Sequence, residues 1–352
     1  MNNKKVLVAM SGGLDSSCAA LKLMDEGYTL YGVTLKLYTP EGQDAEQDIS
    51  DAASVAENLG FAHEAIDMGR HFCDTVIADF VESYRKGETP NPCIVCNKCV
   101  KFGKLLDIAL ERGFDYIATG HYAKVAYDEA SGRYLLKKAD DLSKDQTYVL
   151  YHLTQHQLSH LLLPLGDETK EELRVRAAEK GLVNAHKKDS QDICFVPDGD
   201  YASFLEKYTG KALQKGNMVN KNGDVLATHQ GIEKYTIGQR KGLGVGFGKV
   251  QFVISKNAER NEIVIGDAED LMRESLIAEN VNFISIEKLE APLRVYAKTR
   301  YSQKEQPATL HPIENGVKVV FDEPQRAITP GQAVVFYDGD IVVGGGTISD
   351  KK

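Results

Sequence analysis

From Lys4 to His121 two rhythms of apolar and polar positions alternate. Val6–Ala9, Thr29–Leu37, Phe61–Ile66 and Asp115–Thr119 are short apolar or β-branched runs that read as strands. Between them apolar residues recur three and four apart. Ala19, Ala20, Leu23 and Met24 mark a helix that stops at Gly27, and Asp48–Leu59 marks another that stops at Gly60. His71–Tyr84 continues the helical pattern, and Lys98–Arg112, with Val100, Phe102, Leu105, Leu106 and Ala109 on one side, ends at Gly113. Strands alternating with helices predict parallel β-α-β units and an α/β, doubly wound sheet. In such sheets ligands bind beyond the carboxyl ends of the strands, where Ser11–Ser17, Leu35 and Gly120-His121 fall.

The helical pattern is interrupted at Lys86–Cys93, where two prolines flank Asn91 and predict an extended, exposed loop carrying Cys93, Cys96 and Cys99 within reach of solvent. Tyr122–Lys138 reads as a hairpin turning at Ala130-Ser131-Gly132, and Asp140–Leu150 as a polar stretch leading into a helix. Thr169 with Glu172 forms a capping box for a helix that Gly181 ends, and Lys188–Pro197 reads as extended, carrying Cys194. From about Tyr201 the helical alternation ceases. A turn at Asn220–Gly223, a glycine-rich stretch over His229–Gly246 and two strands within Val250–Ile265 predict a small β-rich linker domain. From Ser275 to Ile348, period-two runs such as Arg294–Tyr301, Val317–Phe321 and Ala333–Tyr337 predict a closed barrel. The expected division is 1–200, 201–274 and 275–352.

At 352 residues and 42% hydrophobic content the chain can build such cores, and no apolar run approaches the roughly 18 residues that span a bilayer. Val6–Met10 is too short for a signal-peptide core, so the expected compartment is the cytoplasm. The net charge of −9 gives no global attraction for nucleic acid, so any RNA contact must come from local patches. Lys98, Lys101 and Lys104 form one, Lys137, Lys138 and Lys144 another, and Arg240-Lys241 and Lys298 with Arg300 two more.

Ser11-Gly12-Gly13-Leu14-Asp15-Ser16-Ser17 lies between the first strand and the first helix. Its glycines admit an anion close to the backbone, and its hydroxyls suit phosphate oxygens. The spacing is neither that of a Walker loop nor that of a dinucleotide fingerprint. It resembles the pyrophosphate loop of the ATP pyrophosphatases, which cleave ATP between the α and β phosphates and adenylate a substrate oxygen. An adenylated carbonyl awaits a nucleophile, and thiols on Cys96 and Cys194 are competent ones. Cys18 and Cys73, in apolar helical contexts, read as core.

The loop, Thr89-Pro-Asn-Pro with Cys96-Asn97-Lys98, Ala118-Thr-Gly-His121-Tyr122, Lys144-Asp-Gln-Thr-Tyr148, Ser190-Gln-Asp-Ile-Cys194-Phe195, Tyr235–Leu243, Arg300-Tyr301 and Thr329-Pro-Gly-Gln332 together resemble the tRNA-specific 2-thiouridylase family from end to end. The resemblance implies replacement of the 2-oxygen of the wobble uridine by sulfur, with ATP and Mg²⁺ in the first domain and the three domains gripping a tRNA anticodon stem-loop. It implies that Ala9, Met10, Ser11, Gly12, Gly13, Leu14, Asp15, Ser16, Leu35 and Gly120 bind ATP. It implies that Cys194 carries a persulfide, delivered by a cysteine desulfurase or sulfur-relay protein, and that Cys96 attacks that persulfide or closes a Cys96–Cys194 disulfide. Asn91, Pro92 and Cys93 border the target base in this reading, and His121, Lys144, Asp145, Gln146, Arg300, Tyr301 and Gln332 touch tRNA. A base splayed from a single-stranded loop suits such a pocket.

The chain departs from the family at Cys93, where the common pattern has Asp. Cys93, Cys96 and Cys194 therefore stand also as ligands for an iron–sulfur cluster, or for zinc. Two other functions fit parts of the pattern. A small-molecule ligase of the ATP-pyrophosphatase type would share the loop without needing the cysteines or barrel, and a non-catalytic tRNA binder would need only the basic patches.

Overall fold

The computed structural model describes residues 3–40, 45–182, 193–244, 246, 248 and 250–351. Five parallel strands form the first sheet in the order His63–Asp67, Thr29–Lys36, Lys5–Ala9, Tyr116–Ala118, Leu161–Leu162. The chain runs outward from Lys5–Ala9 in one direction and then returns to its other side, so the reversal falls between Lys5–Ala9 and Tyr116–Ala118. That crevice, at the strands' carboxyl ends, receives the Ser11–Ser17 turn and the Thr119–Tyr122 segment. Helices Leu14–Asp25 and Ala45–Leu59 pack on one face, through Cys18, Ala19, Leu23, Ala52, Val55 and Ala56 against Val6 and Val8. Residues 92–111 pack on the other, through Phe102, Leu105, Leu106 and Ala109 against Leu7, Val33 and Ile117.

A mixed four-stranded sheet of Gly216–Val219, Val225–His229, Phe252–Asn257 and Glu262–Gly266 follows. Six antiparallel strands from Met272–Phe283 to Ile341–Ile348 then close into a barrel, because the first pairs both with Gly316–Arg326 and with Ile341–Ile348. The hairpin Lys124–Asp128/Arg133–Lys137 adds to the barrel's last strand by pairing Lys137 with Ile341. One apolar core runs through both units, joining Leu7, Phe102 and Ile117 to Tyr148, Tyr151, Val335 and Tyr337. The Tyr148 hydroxyl donates to the Ala333 carbonyl at 2.8 Å, and Asn282 Nδ2 donates to the carbonyls of Tyr151 (2.8 Å) and Leu153 (3.0 Å). No helix among the described residues is long and apolar enough to cross a membrane.

Four expectations change. Cys93, Cys96 and Cys99 do not lie on an extended loop: a helix begins at Pro92, and Cys96 is buried. Proline at the first helical position loses no hydrogen bond, and the Asn91 side chain caps the turn by accepting the Cys93 amide at 3.2 Å. Asp140–Leu150 leads only to a 3₁₀ turn, Thr147–Val149. Tyr201–Thr209 is a helix, capped by Asp200 and ended by Gly210 at φ 65°. Cys18 is core, whereas Cys73 is only half-buried. Residues 188–192 of the expected extended segment, and with them Ser190 to Asp192 of its motif, lie outside the described residues.

Candidate active site

Met10 leaves the first strand fixed to its neighbour: its amide donates to the Val33 carbonyl and its carbonyl accepts Thr34 Oγ1, both at 2.8 Å. Gly12 adopts φ 69°, and a side chain there would collide with the Asp48 carbonyl. Ser16 Oγ accepts the Ser11 amide and donates to the Gly13 carbonyl, both at 3.1 Å, and Ser17 Oγ donates to the same carbonyl at 3.0 Å. Helix Leu14–Asp25 starts without a side-chain cap at Gly13, so the positive end of its dipole faces this turn. Leu35 sits half-buried at the carboxyl end of the next strand.

The Thr119–Tyr122 segment closes on this turn from across the crevice. A Cβ on Gly120 would lie 2.7 Å from the Asp15 carbonyl carbon and 2.8 Å from the Ser16 nitrogen, so only glycine permits the approach. Asp15 Oδ1 accepts the Tyr122 hydroxyl at 2.8 Å and Lys170 Nζ at 2.7 Å. Lys170, 3% exposed, is the first residue of helix Lys170–Glu179. Sequence reasoning located that helix by its capping box but missed its first lysine as a site residue. His121 is buried beside Phe102, bonded through Nδ1 to Thr119 Oγ1 at 2.8 Å, and burial holds its pKa well below the usual histidine value, so it is neutral.

The cysteine helix loosens to π spacing over Cys96–Lys104, where Gly103 passes so close to the Lys98 carbonyl oxygen that a Cβ would lie 2.8 Å from it. Cys93 and Cys194 open to solvent. Phe195 anchors Cys194 by packing edge-on to Phe72 and Phe80, with ring centres 5.6 and 5.2 Å apart. Cys96 and Phe195, the neighbour of Cys194, share one apolar cluster, and Cys96 interacts electrostatically with both Cys93 and Cys194. Burial pushes Cys96 up to about 12 and raises Cys93 and Cys194, which are recessed among protein atoms despite their opening. The Lys101 charge works the other way at all three. Cys99 is half-buried, with its carbonyl against His71 Nε2 at 3.1 Å.

Of the remaining expected residues, Tyr301 donates its hydroxyl to the Asp145 carbonyl at 3.3 Å. Lys298 sits over the Tyr148 and Tyr301 rings at 5.8 and 5.4 Å. The Asp145 carboxylate, raised in pKa by burial, accepts Thr147 Oγ1 (2.6 Å) and the Ala139 amide (3.2 Å). Gln146 Oε1 accepts the Tyr122 amide at 2.9 Å, which ties this segment to the Asp15 site, and Lys144 beside it is half-buried. Arg300 turns inward: Nη2 donates to the carbonyls of Ile237 (3.0 Å) and Ala327 (3.1 Å) and to Thr329 Oγ1 (2.6 Å). Gln332 Nε2 reaches the loop before the cysteine helix, donating to the Thr89 carbonyl at 2.7 Å.

Among the described residues no three His, Cys, Asp or Glu side chains are gathered as a metal ion would require.

Three family descriptions match in series: a tRNA methyl transferase HUP domain over residues 4–198, a PRC-barrel domain over 202–267 and an aminomethyltransferase beta-barrel domain over 273–348. The tRNA-specific 2-thiouridylase MnmA of Acetivibrio thermocellus is 50% identical over 99% of this chain and 100% of its own. That of Clostridioides difficile is 52% identical over 98% of each. The chain belongs to the tRNA-specific 2-thiouridylase family. A structure of the U34-tRNA thiolase NcsA from Methanococcus maripaludis with its 4Fe–4S cluster resembles 59% of this chain and 67% of that one at 21% identity and a TM-score of 0.38, a likeness that says nothing about a cluster here. The two 2-thiouridylases, 50% and 52% identical over nearly the full chain, do not favour the small-molecule ligase.

Proposed function

We propose that this protein is an ATP-dependent tRNA-uridine 2-sulfurtransferase acting on the wobble uridine. The observation that carries the reading is that Cys96 and Phe195, the neighbour of Cys194, pack in one apolar cluster with Leu35, near the carboxyl end of the strand paired to the one that leads into the Ser11–Ser17 turn. MgATP binds with its phosphates at the uncapped helix N-terminus and its adenine toward Leu35. Asp15 and Lys170 meet the complex with one charge of each sign.

The 2-oxygen of the uridine attacks the α phosphate and expels pyrophosphate, leaving the base adenylated. The terminal sulfur of a Cys194 persulfide attacks the activated carbon and AMP departs with the former base oxygen. The Cys96 thiolate then attacks Cys194 Sγ, so the sulfur–sulfur bond to the base breaks, its electron pair leaves with the 2-thiouridine, and a Cys96–Cys194 disulfide remains. An external thiol resets the disulfide, and a persulfide donor reloads Cys194. Cys96 starts protonated in the free protein, and Lys101 is the cation placed to favour its thiolate.

The test is nucleoside mass spectrometry of tRNA incubated with the protein, ATP and a persulfide donor. The expected product is 2-thiouridine with equimolar AMP and pyrophosphate. Release of ADP, or ATP cleavage that proceeds without tRNA and transfers no sulfur, contradicts the reading.

A further inference from the structure

Gln332 belongs to the turn Thr329–Gln332 at the barrel's rim, 236 positions after Cys96 in the chain. Its amide leaves the barrel and donates to the carbonyls of Thr89 (2.7 Å) and Pro90 (3.3 Å), the two residues that lead into the Asn91 cap of the cysteine helix. A second link runs parallel, since the Thr89 amide donates to the Pro330 carbonyl at 3.0 Å. Between them Gly331, at φ 86°, touches the loop so closely that a Cβ would stand 2.8 Å from Glu88 Cβ and 3.0 Å from the Thr89 nitrogen. The turn is itself held from behind: the Gln332 carbonyl accepts the Ile348 amide at 2.8 Å, and the Gly331 amide donates to the Ile348 carbonyl at 3.0 Å. The Thr89-Pro90 loop is thus tied to the carboxy-terminal barrel as well as to its own domain, where the Glu88 amide donates to the Ser83 carbonyl at 2.9 Å.

We infer that Gln332 is a positioning residue for the sulfur chemistry: its amide latches the Thr89-Pro90 loop to the barrel and holds the start of the cysteine helix in the arrangement that keeps Cys96 buried. The Cys96 thiol must be uncovered to reach Cys194 and a base between them, so the latch sets how readily the resting protein exposes it. Two carbonyls held by one amide specify the donor. A carboxylate of the same shape would face them with oxygen against oxygen and drive the loop away. The inference rests on the proposed role of Cys96, although the latch itself is a feature of the free protein.

The experiment follows iodoacetamide labelling of each cysteine by peptide mass spectrometry in the full-length protein, without tRNA, ATP or sulfur donor. In Gln332→Ala and Gln332→Glu, Cys96 should label about fivefold faster or more than in the wild type, a change that loss of one or two hydrogen bonds supports. Cys73 and Cys99, which share the same apolar cluster with Cys96, should keep their wild-type rates and so report that the fold is intact. Gly331→Ala, which presses on the loop without touching the amide, should also speed Cys96. Unchanged Cys96 labelling in the Gln332 variants overturns the latch, as does equal acceleration of all three cysteines. Acceleration in Gln332→Ala with wild-type behaviour in Gln332→Glu overturns it as well, because the side chain would then only fill space. Since no tRNA or ATP is present, failure here leaves the sulfur-transfer reading standing, and failure of tRNA thiolation leaves the latch standing.

Discussion

The Lys170 ammonium stands 2.7 Å from the carboxylate of Asp15, a residue 155 positions earlier in the chain, and its side chain is almost sealed from water. The pair places a positive charge beside the Ser11–Ser17 turn and balances the charge of Asp15. Asp15 retains about a third of its exposure, so the pair contributes on the order of 1–2 kcal/mol, below the value of a fully buried one. Lys170→Met should lower the unfolding free energy measured by denaturant titration by that amount and reduce tRNA-dependent pyrophosphate release by about a hundredfold. Asp15→Ala should abolish release. In both variants tRNA affinity should stay within about twofold of wild type, measured by filter binding, because the two groups bond to each other, and Asp15 to Tyr122, within the first domain.

Gly120→Ala is the corresponding test of the close approach between the two loops. The added methyl meets backbone at 2.7 Å, which cannot rotate away, so a loss of about 1–3 kcal/mol in stability is expected together with weakened ATP binding. Calorimetric titration with a non-hydrolysable ATP analogue measures the second effect.

The raised pKa of Cys96 has a definite sign. The folded protein holds the thiol proton up to about pH 12, while the unfolded chain releases it near 9. Cys96 therefore contributes stability that is fully present below the unfolded value and is lost as pH rises from there toward 12, at about 1.4 kcal/mol per unit. Cys18, also pushed up to about 12, acts in the same window, and Cys18→Ala should flatten the alkaline decline in the denaturant midpoint. The rate of Cys96 alkylation should climb about tenfold per unit between about pH 7 and pH 10 without a plateau.

Much of this arrangement was legible along the chain. The strand and helix alternation was visible because glycines 27, 60 and 113 stop helices just where the period changes, and each of them adopts positive φ. The Ser11–Ser17 turn was legible because its chemistry is contained in consecutive residues. The helix at Pro92 was missed because proline was read as a breaker, whereas after an Asn cap it starts a helix. Lys170 and the Lys137–Ile341 pairing were invisible because their partners lie far away in sequence. Charge and the family resemblance put Arg300 among the tRNA contacts, and the fold adds what neither could show, the internal carbonyls that hold its guanidinium in the free protein.

That junction changes what tRNA binding should show. Arg300→Ala removes donors from Ile237, Ala327 and Thr329, so it should cost about 1–3 kcal/mol in stability and leave the salt dependence of tRNA binding near wild type. Lys298→Ala, which removes a half-buried ammonium lying over Tyr148 and Tyr301, should reduce the slope of log affinity against log salt by about one. The opposite pattern would mean that Arg300 leaves its internal partners when tRNA binds.

Cys93 occupies a place on the helix's first turn where the Asn91 cap bonds only the backbone amide, so a carboxylate there keeps the cap. Cys93→Asp should keep thiolation within about threefold of wild type and leave Cys194 able to carry a persulfide. Protein prepared anaerobically with bound iron and acid-labile sulfide, both lost in Cys93→Asp, would contradict this.

Sulfur passing through Cys194 to the uridine is the centre of the account, and a single-turnover reaction with heavy-sulfur label tests it most directly. The protein is loaded with labelled persulfide, freed of donor, and mixed with ATP and unmodified tRNA. The expected result is label in the 2-position of the wobble uridine, one AMP and one pyrophosphate per labelled base, and a Cys96–Cys194 disulfide in the spent protein; Cys194→Ser should yield none of these. Labelled 2-thiouridine formed at the wild-type rate by Cys194→Ser would contradict it.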